Sequence, residues 1–277
     1  MTHTLKFSLI MAAGLLFSCK EIPITISDPI IPESDRVVLI EELTGASCSN
    51  CPKGSATIDN ILSRHEGKVV AIGVHGKFLS YPTPKSKYDF RNQKAKELEA
   101  WFTGWQGKPS ASVNRSVDPS SGLIVQDNPD LWLSGVEREL QKPHVMNILL
   151  DTKYNTDTRQ VDLEIAVIPL TDLPGNYNIS IYLTESGIVD AQADGTVIIE
   201  NFTFKHVLMD MMTKHSGDVL ATDLEKNKVI KKNYSYTLPS NVPGLWNAQN
   251  MEVIVMVSRS SPTDVSVLQA ASVHVIK

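Results

Sequence analysis

Residues 37–61 read VVLIEELTGASCSNCPKGSATIDNI. The aliphatic run Val37-Val38-Leu39-Ile40 predicts a buried strand that ends at the Thr44-Gly45 break. Ala56, Ile58, Ile61 and Leu62 then return at roughly helical spacing, so an amphipathic helix follows. Between the two sits Cys48-Ser49-Asn50-Cys51-Pro52. Two cysteines three apart at a strand-to-helix junction carry a chemical meaning. The first helical turn offers unpaired N–H groups and the positive end of the helix dipole, and both stabilise a thiolate at Cys48. The spacing also lets Cys51 close back on Cys48, making a dithiol able to cycle with a disulfide.

That is a thioredoxin-like active-site geometry, and the chain continues in thioredoxin order. Lys68–His75 (KVVAIGVH) predicts a second buried strand. Phe78–Lys87 holds two prolines and reads as a loop, and Tyr88–Phe102 alternates apolar and charged residues like a surface helix. In thioredoxin-like proteins a cis-proline opens the next strand and lies against the disulfide. Pro109, ahead of a strand at Ala111–Val117, stands in that place, with a trans proline at the start of an edge strand as the alternative. A turn at Asp118–Gly122, a hairpin return at Leu123–Gln126 and a closing helix at Pro129–Gln141 complete this part. Glu42 lies six residues before Cys48, the spacing at which thioredoxins bury a carboxylate that takes the proton of the deeper cysteine. A solvated strand-end carboxylate is the equal alternative, and Glu41 would face the other side of the strand. Ser47 replaces the tryptophan of many active thioredoxins, and Ser49-Asn50 replaces their Gly-Pro.

The N-terminus carries a different message. Lys6 followed by the apolar run Ser8–Phe17 is too short to span a bilayer and reads as a leader over residues 1–18. It ends in Leu16-Phe17-Ser18-Cys19, which looks like a bacterial lipoprotein signal with Cys19 as the lipidated residue. Two or three acyl chains anchor stably where one does not. Residues 19–35, with three prolines and no periodicity, predict an extended tether.

With Cys19 given to lipid, three cysteines leave a single pair, Cys48 and Cys51, expected to be disulfide-bonded in an oxidising compartment. A structural zinc site needs four ligands and finds no second Cys or His pair, so no metal or cofactor is expected. Net charge of −5 without a basic run gives no support to nucleic-acid binding.

From His144 onward the period changes to two. Strand candidates fall at Val145–Leu150, Val161–Ile168, Tyr177–Leu183, Tyr234–Leu238, Val253–Val257 and Val265–Ile276. Short strands without intervening helices predict an all-β immunoglobulin-like sandwich over 143–277, separate from a thioredoxin-like α/β domain over 36–142. His206 reads as a packed strand residue rather than a ligand, and the methionines as core fillers.

EELTGASCSNCP (41–52), PSASVNR (109–115), HVLMDMM (206–212) and VLQAASVHVI (267–276) together resemble the 28-kDa outer-membrane protein (Omp) family of Bacteroidetes lipoproteins. The resemblance implies an outer-membrane lipoprotein with a thioredoxin-like N-terminal part and a β-rich C-terminal part, facing the periplasm or the cell surface. Met209 stands where the family pattern often has arginine. Two functions follow. One is a thiol–disulfide oxidoreductase acting on a protein disulfide through Cys48, Cys51, Pro109 and Glu42. The other is a redox-silent surface binding protein, an adhesin or receptor, that keeps the scaffold with its cysteines locked. The membrane, through the lipid, is the expected partner in both.

Overall fold

The computed structural model describes residues 35–240 and 242–277. The leader, the lipidation site Cys19 and the tether up to residue 34 lie outside the described residues. Strand β1 (Val38–Leu43) is buried along its whole length, including Glu41 and Glu42. It pairs in parallel with β2 (Val69–Val74) after the crossover helix α1 (Cys51–Arg64). Its other edge takes β3 (Ser110–Val113) antiparallel. Helix α2 (Gln93–Trp101) starts later than the pattern predicts. Asn92 caps it by accepting from the Ala95 N–H at 2.8 Å, so Tyr88–Arg91 stay irregular. The predicted return strand at Leu123–Gln126 shrinks to one bridge, Ala111 with Gln126. Helix α3 (Trp132–Leu140) follows a short 3₁₀ turn at Pro129–Leu131.

Ten further strands follow: β4 (Met146–Asn155), β5 (Gln160–Pro169), β6 (Leu173–Glu185), β7 (Ile188–Asp194), β8 (Val197–Phe204), β9 (Val207–Met211), β10 (Asp218–Leu224), β11 (Ile230–Thr237), β12 (Met251–Arg259) and β13 (Val267–His274). The period of two is therefore correctly read as β structure. The pairing is not that of a sandwich closed within residues 143–277. Strands β13, β12, β6 and β9 continue through β2, β1 and β3 in one eight-stranded sheet, with β10 also on β6. Only β11, β5 and β4 form a separate three-stranded sheet beside the β7–β8 hairpin. The join is a parallel bridge of Gly73 with Val207, and the described residues pack as one compact unit. The expected boundary at residue 143 thus runs between neighbours in one layered structure.

Three apolar clusters explain the layering. On one face, α1 and α3 cover β1 and β2 through Ile58, Ile61, Trp132 and Val136 against Val38 and Ile40. Further along the sheet, β4 and β5 place Ile148, Val161, Leu163 and Ile165 against Ile181, Leu183, Val253 and Val255 of β6 and β12. On the opposite face, α2 sets Ala95 and Leu98 on Leu39, Leu43, Ile72, Tyr182 and Ile254. Each such aliphatic side chain contributes about 1.5–3 kcal/mol on leaving water.

Candidate functional site

The loop after β1 turns back on itself, with Cys48 N–H donating to Gly45 O and Cys51 N–H to Cys48 O. That turn brings the two sulfurs together at the start of α1, where Pro52 suits a position whose N–H is not needed. Cys48 and Cys51 are joined, at S–S 2.04 Å and Cα–Cα 5.4 Å. The peptide Lys108-Pro109 is cis, and Pro109 leads into β3.

Gly54, one turn into α1, is what lets these pieces meet. A Cβ there would stand 2.5 Å from Glu42 Oε1 and 2.7 Å from Pro109 Cβ, so a side chain would push both away from the helix. Glu42, Pro109 and the cysteine-bearing turn of α1 are thus brought together.

Glu42 is buried rather than solvated, at 4% exposure, and Oε1 has no hydrogen-bond partner among the described residues. Burial pushes its carboxyl up to about 8, against the pull of nearby Lys108. It is therefore neutral at pH 7 and has a proton to give. Lys108, beside the cis-proline, is fully buried and its ammonium is lowered by burial, with Glu99 opposing. It donates to Thr44 O and Ser80 Oγ at 2.8 Å each and pairs with Glu99 Oε2 at 2.5 Å. His75 at the end of β2 is held neutral, its pKa lowered to about 3 by burial and by the charge on Lys108.

Glu41 faces the other side of β1, as alternation requires. Its carboxylate takes Arg115 Nη2 at 2.6 Å and Nε at 2.8 Å, with Tyr182 Oη donating to Oε1 at 2.9 Å. The guanidinium stacks over Trp101 at 4.5 Å. This buried pair ties β1, the end of β3, α2 and β6 together.

Cys48 is not exposed. Both cysteines are only 1% exposed, because the β7–β8 hairpin lies over their turn. Gln192 Nε2 donates to Cys48 O at 2.9 Å and to Gly45 O at 3.2 Å. Ala193 N–H donates to Ala46 O and Gly195 N–H to Ser49 O. Gln192, Lys108 and His75 were not singled out by the sequence. Asp194-Gly195 between two alternating runs is a hairpin signal that would have found the cover. His206 is half-buried at a bend before β9, where its N–H donates to Ser186 Oγ and its carbonyl accepts from Gly73 N–H. No group of three or more His, Cys, Asp or Glu side chains suited to a metal occurs among the described residues. Nor is any described helix long and apolar enough to cross a membrane.

Residues 96–277 match the family described as Outer membrane protein Omp28. The match begins after the cysteine pair and spans the cis-proline and the β7–β8 cover. Among solved structures, HBP35 of Porphyromonas gingivalis superposes with TM-score 0.67 at 13% identity, over 88% of this chain and 77% of that one. A protein from Agrobacterium tumefaciens gives 0.53 at 12% identity, over 89% and 97%. A domain of the outer membrane lipoprotein Omp28 from Porphyromonas gingivalis gives 0.33 at 17% identity, over 48% and 90%. The first two likenesses concern the fold alone. No curated protein matches the sequence.

Proposed function

The chain belongs to the Omp28 family of outer membrane proteins, and from that premise we propose a lipid-anchored thiol–disulfide oxidoreductase with a covered dithiol. Residues 36–142 are read as its thioredoxin-like part, and Cys19 as the lipid attachment point. The observation that carries the reading is the convergence of Glu42 and cis-Pro109 on the cysteine-bearing turn of α1, with Gly54 making room for both. A staple alone needs neither neighbour, and closing a loop of about four residues yields only about 2 kcal/mol.

In the reduced protein, the Cys48 thiolate attacks one sulfur of a partner's disulfide and releases the other as a thiolate. Cys51, passing its proton to Glu42 once that carboxyl is ionised, then attacks Cys48 Sγ and restores the Cys48–Cys51 bond. The partner leaves as two thiolates, which take up protons from Glu42 and water, and two electrons have moved to it. The partner's chain approaches along the groove between Asn50, Lys53, Lys108 and Pro109, after the hairpin lifts from the cysteine turn.

Burial of both sulfurs favours a second reading, a redox-silent binding protein whose pair never opens. One experiment separates the two. The Cys51→Ser protein should trap partners as mixed disulfides, and Cys48→Ser should trap none. The wild-type pair should show a potential of about −120 to −270 mV. A potential below about −300 mV with no trapped partner establishes the silent protein instead.

A further inference from the structure

Behind the cysteine helix, on the side away from the groove, lies a cavity of about 290 Å³ between α1, β2 and the β7–β8 hairpin. Its walls include Ile58 of α1, Ala71 of β2, and Phe202 and Phe204 of β8. Glu42 and His75 line the same space. Both are almost wholly buried, and Glu42 Oε1 and His75 Nε2 have no hydrogen-bond partner among the described residues. Ser55, Asp59, Gln192 and Lys205 add polar groups to the lining, yet Glu42 Oε1 and His75 Nε2 stay unsatisfied, which is unusual because buried polar groups are nearly always paired.

The strand beneath the chamber explains why space exists there. Ala71, Gly73 and His75 project to the face that carries Glu42, since Glu42 pairs with Gly73 across β1 and β2. Gly73 therefore leaves a gap where a strand residue would normally fill the layer. The nearby backbone does not demand glycine. A Cβ at position 73 would lie 3.5 Å from His206 O and 3.6 Å from both Lys205 O and Thr44 Cγ2, all ordinary contacts. A glycine inside a strand can mark the approach of a ligand as well as of a backbone, and the ordinary contacts a Cβ would make here leave room for the former.

We propose that this cavity is a binding site for a small uncharged phenol or aromatic alcohol, with the ring between Phe202, Phe204 and Ile58 and the hydroxyl between Glu42 and His75. The size suits such a molecule, since a dry apolar cavity of about 150 Å³ already accepts benzene. The hydrogen bonding suits a hydroxyl in particular. His75 Nδ1 lies 3.4 Å from Gly73 O and donates to it, which leaves Nε2 as an acceptor. Neutral Glu42 carries an O–H donor. A hydroxyl oxygen accepts from one and donates to the other, which neither a hydrocarbon nor a carbonyl compound can do. Edge-on contact of His75 with Phe204, at 5.8 Å between centroids, gives the ring an aromatic wall. The cysteine sulfurs take no part, so binding is read with the disulfide intact, although Glu42 is shared with the redox chemistry proposed above.

The test uses the full mature protein with p-cresol and toluene as probes, followed by calorimetry and by the amide resonance of Gly73. Para-cresol should bind saturably at one site and shift that resonance, with toluene at least tenfold weaker. Gly73→Val should abolish binding while the circular dichroism spectrum is kept. Should that variant misfold, Gly73→Ala, whose Cβ is tolerated, should weaken p-cresol at least threefold. Absence of saturable p-cresol binding, a chamber filled by water alone, overturns the proposal. So does equal affinity for toluene, or binding that survives both substitutions.

Discussion

The side-chain amide of Gln192 donates a 2.9 Å hydrogen bond to the carbonyl oxygen of Cys48, 144 residues earlier in the chain. A residue of the β7–β8 hairpin thus holds down the turn that carries the disulfide, and access to the sulfurs depends on how firmly it does so. Gln192→Ala removes this bond and the one to Gly45. A typical hydrogen bond contributes about 0.5–1.5 kcal/mol net, so losing two should quicken reduction of the pair by dithiothreitol about fivefold to a hundredfold. An unchanged rate would show that the hairpin does not guard the pair.

Arg115 and Glu41 are both 1% exposed, so neither can lose its partner cheaply. Arg115→Met should lower stability by about 3–5 kcal/mol, because it strands a buried carboxylate. The double variant Glu41→Gln, Arg115→Met should lose less than the single one. Urea denaturation measures both, and a double variant no better than the single one would refute the pairing argument.

Stability should also report Glu42 and His75 against pH. Glu42 has its pKa raised from 4.5 to about 8, so the folded state holds a proton that the unfolded chain gives up, and stability falls between those values. His75 has its pKa lowered from 6.5 to about 3, so the unfolded chain binds a proton that the folded state refuses, and stability rises between those values. The two slopes offset each other from 4.5 to 6.5, which predicts a plateau there with losses on either side. Glu42→Gln should flatten the decline from pH 6.5 to 8 and leave the acid limb. Denaturation midpoints across pH check this, and a decline unchanged in Glu42→Gln would assign it to another group.

Anchoring has its own test. Cys19→Ala should move the protein from the membrane fraction to the soluble one, or leave it as an uncleaved precursor. Mass spectrometry that finds a mature N-terminus other than Cys19 would remove the basis for the anchor.

How far these features were legible depended on the range of the forces that make them. Strands β1 and β2 and helix α1 were readable because Val37–Ile40, Lys68–His75 and the Ala56–Leu62 spacing bury their own faces locally. The disulfide followed from two cysteines three apart, and the cis-proline from the place Pro109 takes in thioredoxin order. Glu42 was undecided because its burial depends on α1 and Lys108 packing over it. The partner of Glu41 could not be named, since Arg115 lies 74 residues away. The largest departure, one sheet running through both halves, hangs on Gly73 meeting Val207. Periodicity identifies a strand but says nothing of its neighbour.

The hairpin that shields Cys48 and Cys51 also fixes an order of events in time. Residues 188–204 follow the cysteines at long range in the chain, and until they settle on the turn the two thiols are open to any oxidant. Once Gln192 and the amides of Ala193 and Gly195 have closed on the turn, the sulfurs are out of reach. A chain that folds before it is oxidised is therefore oxidised only as fast as the hairpin lifts. Maturation is then a race between an encounter with an oxidant and the arrival of a segment 137 residues downstream of Cys51, counted to Ile188.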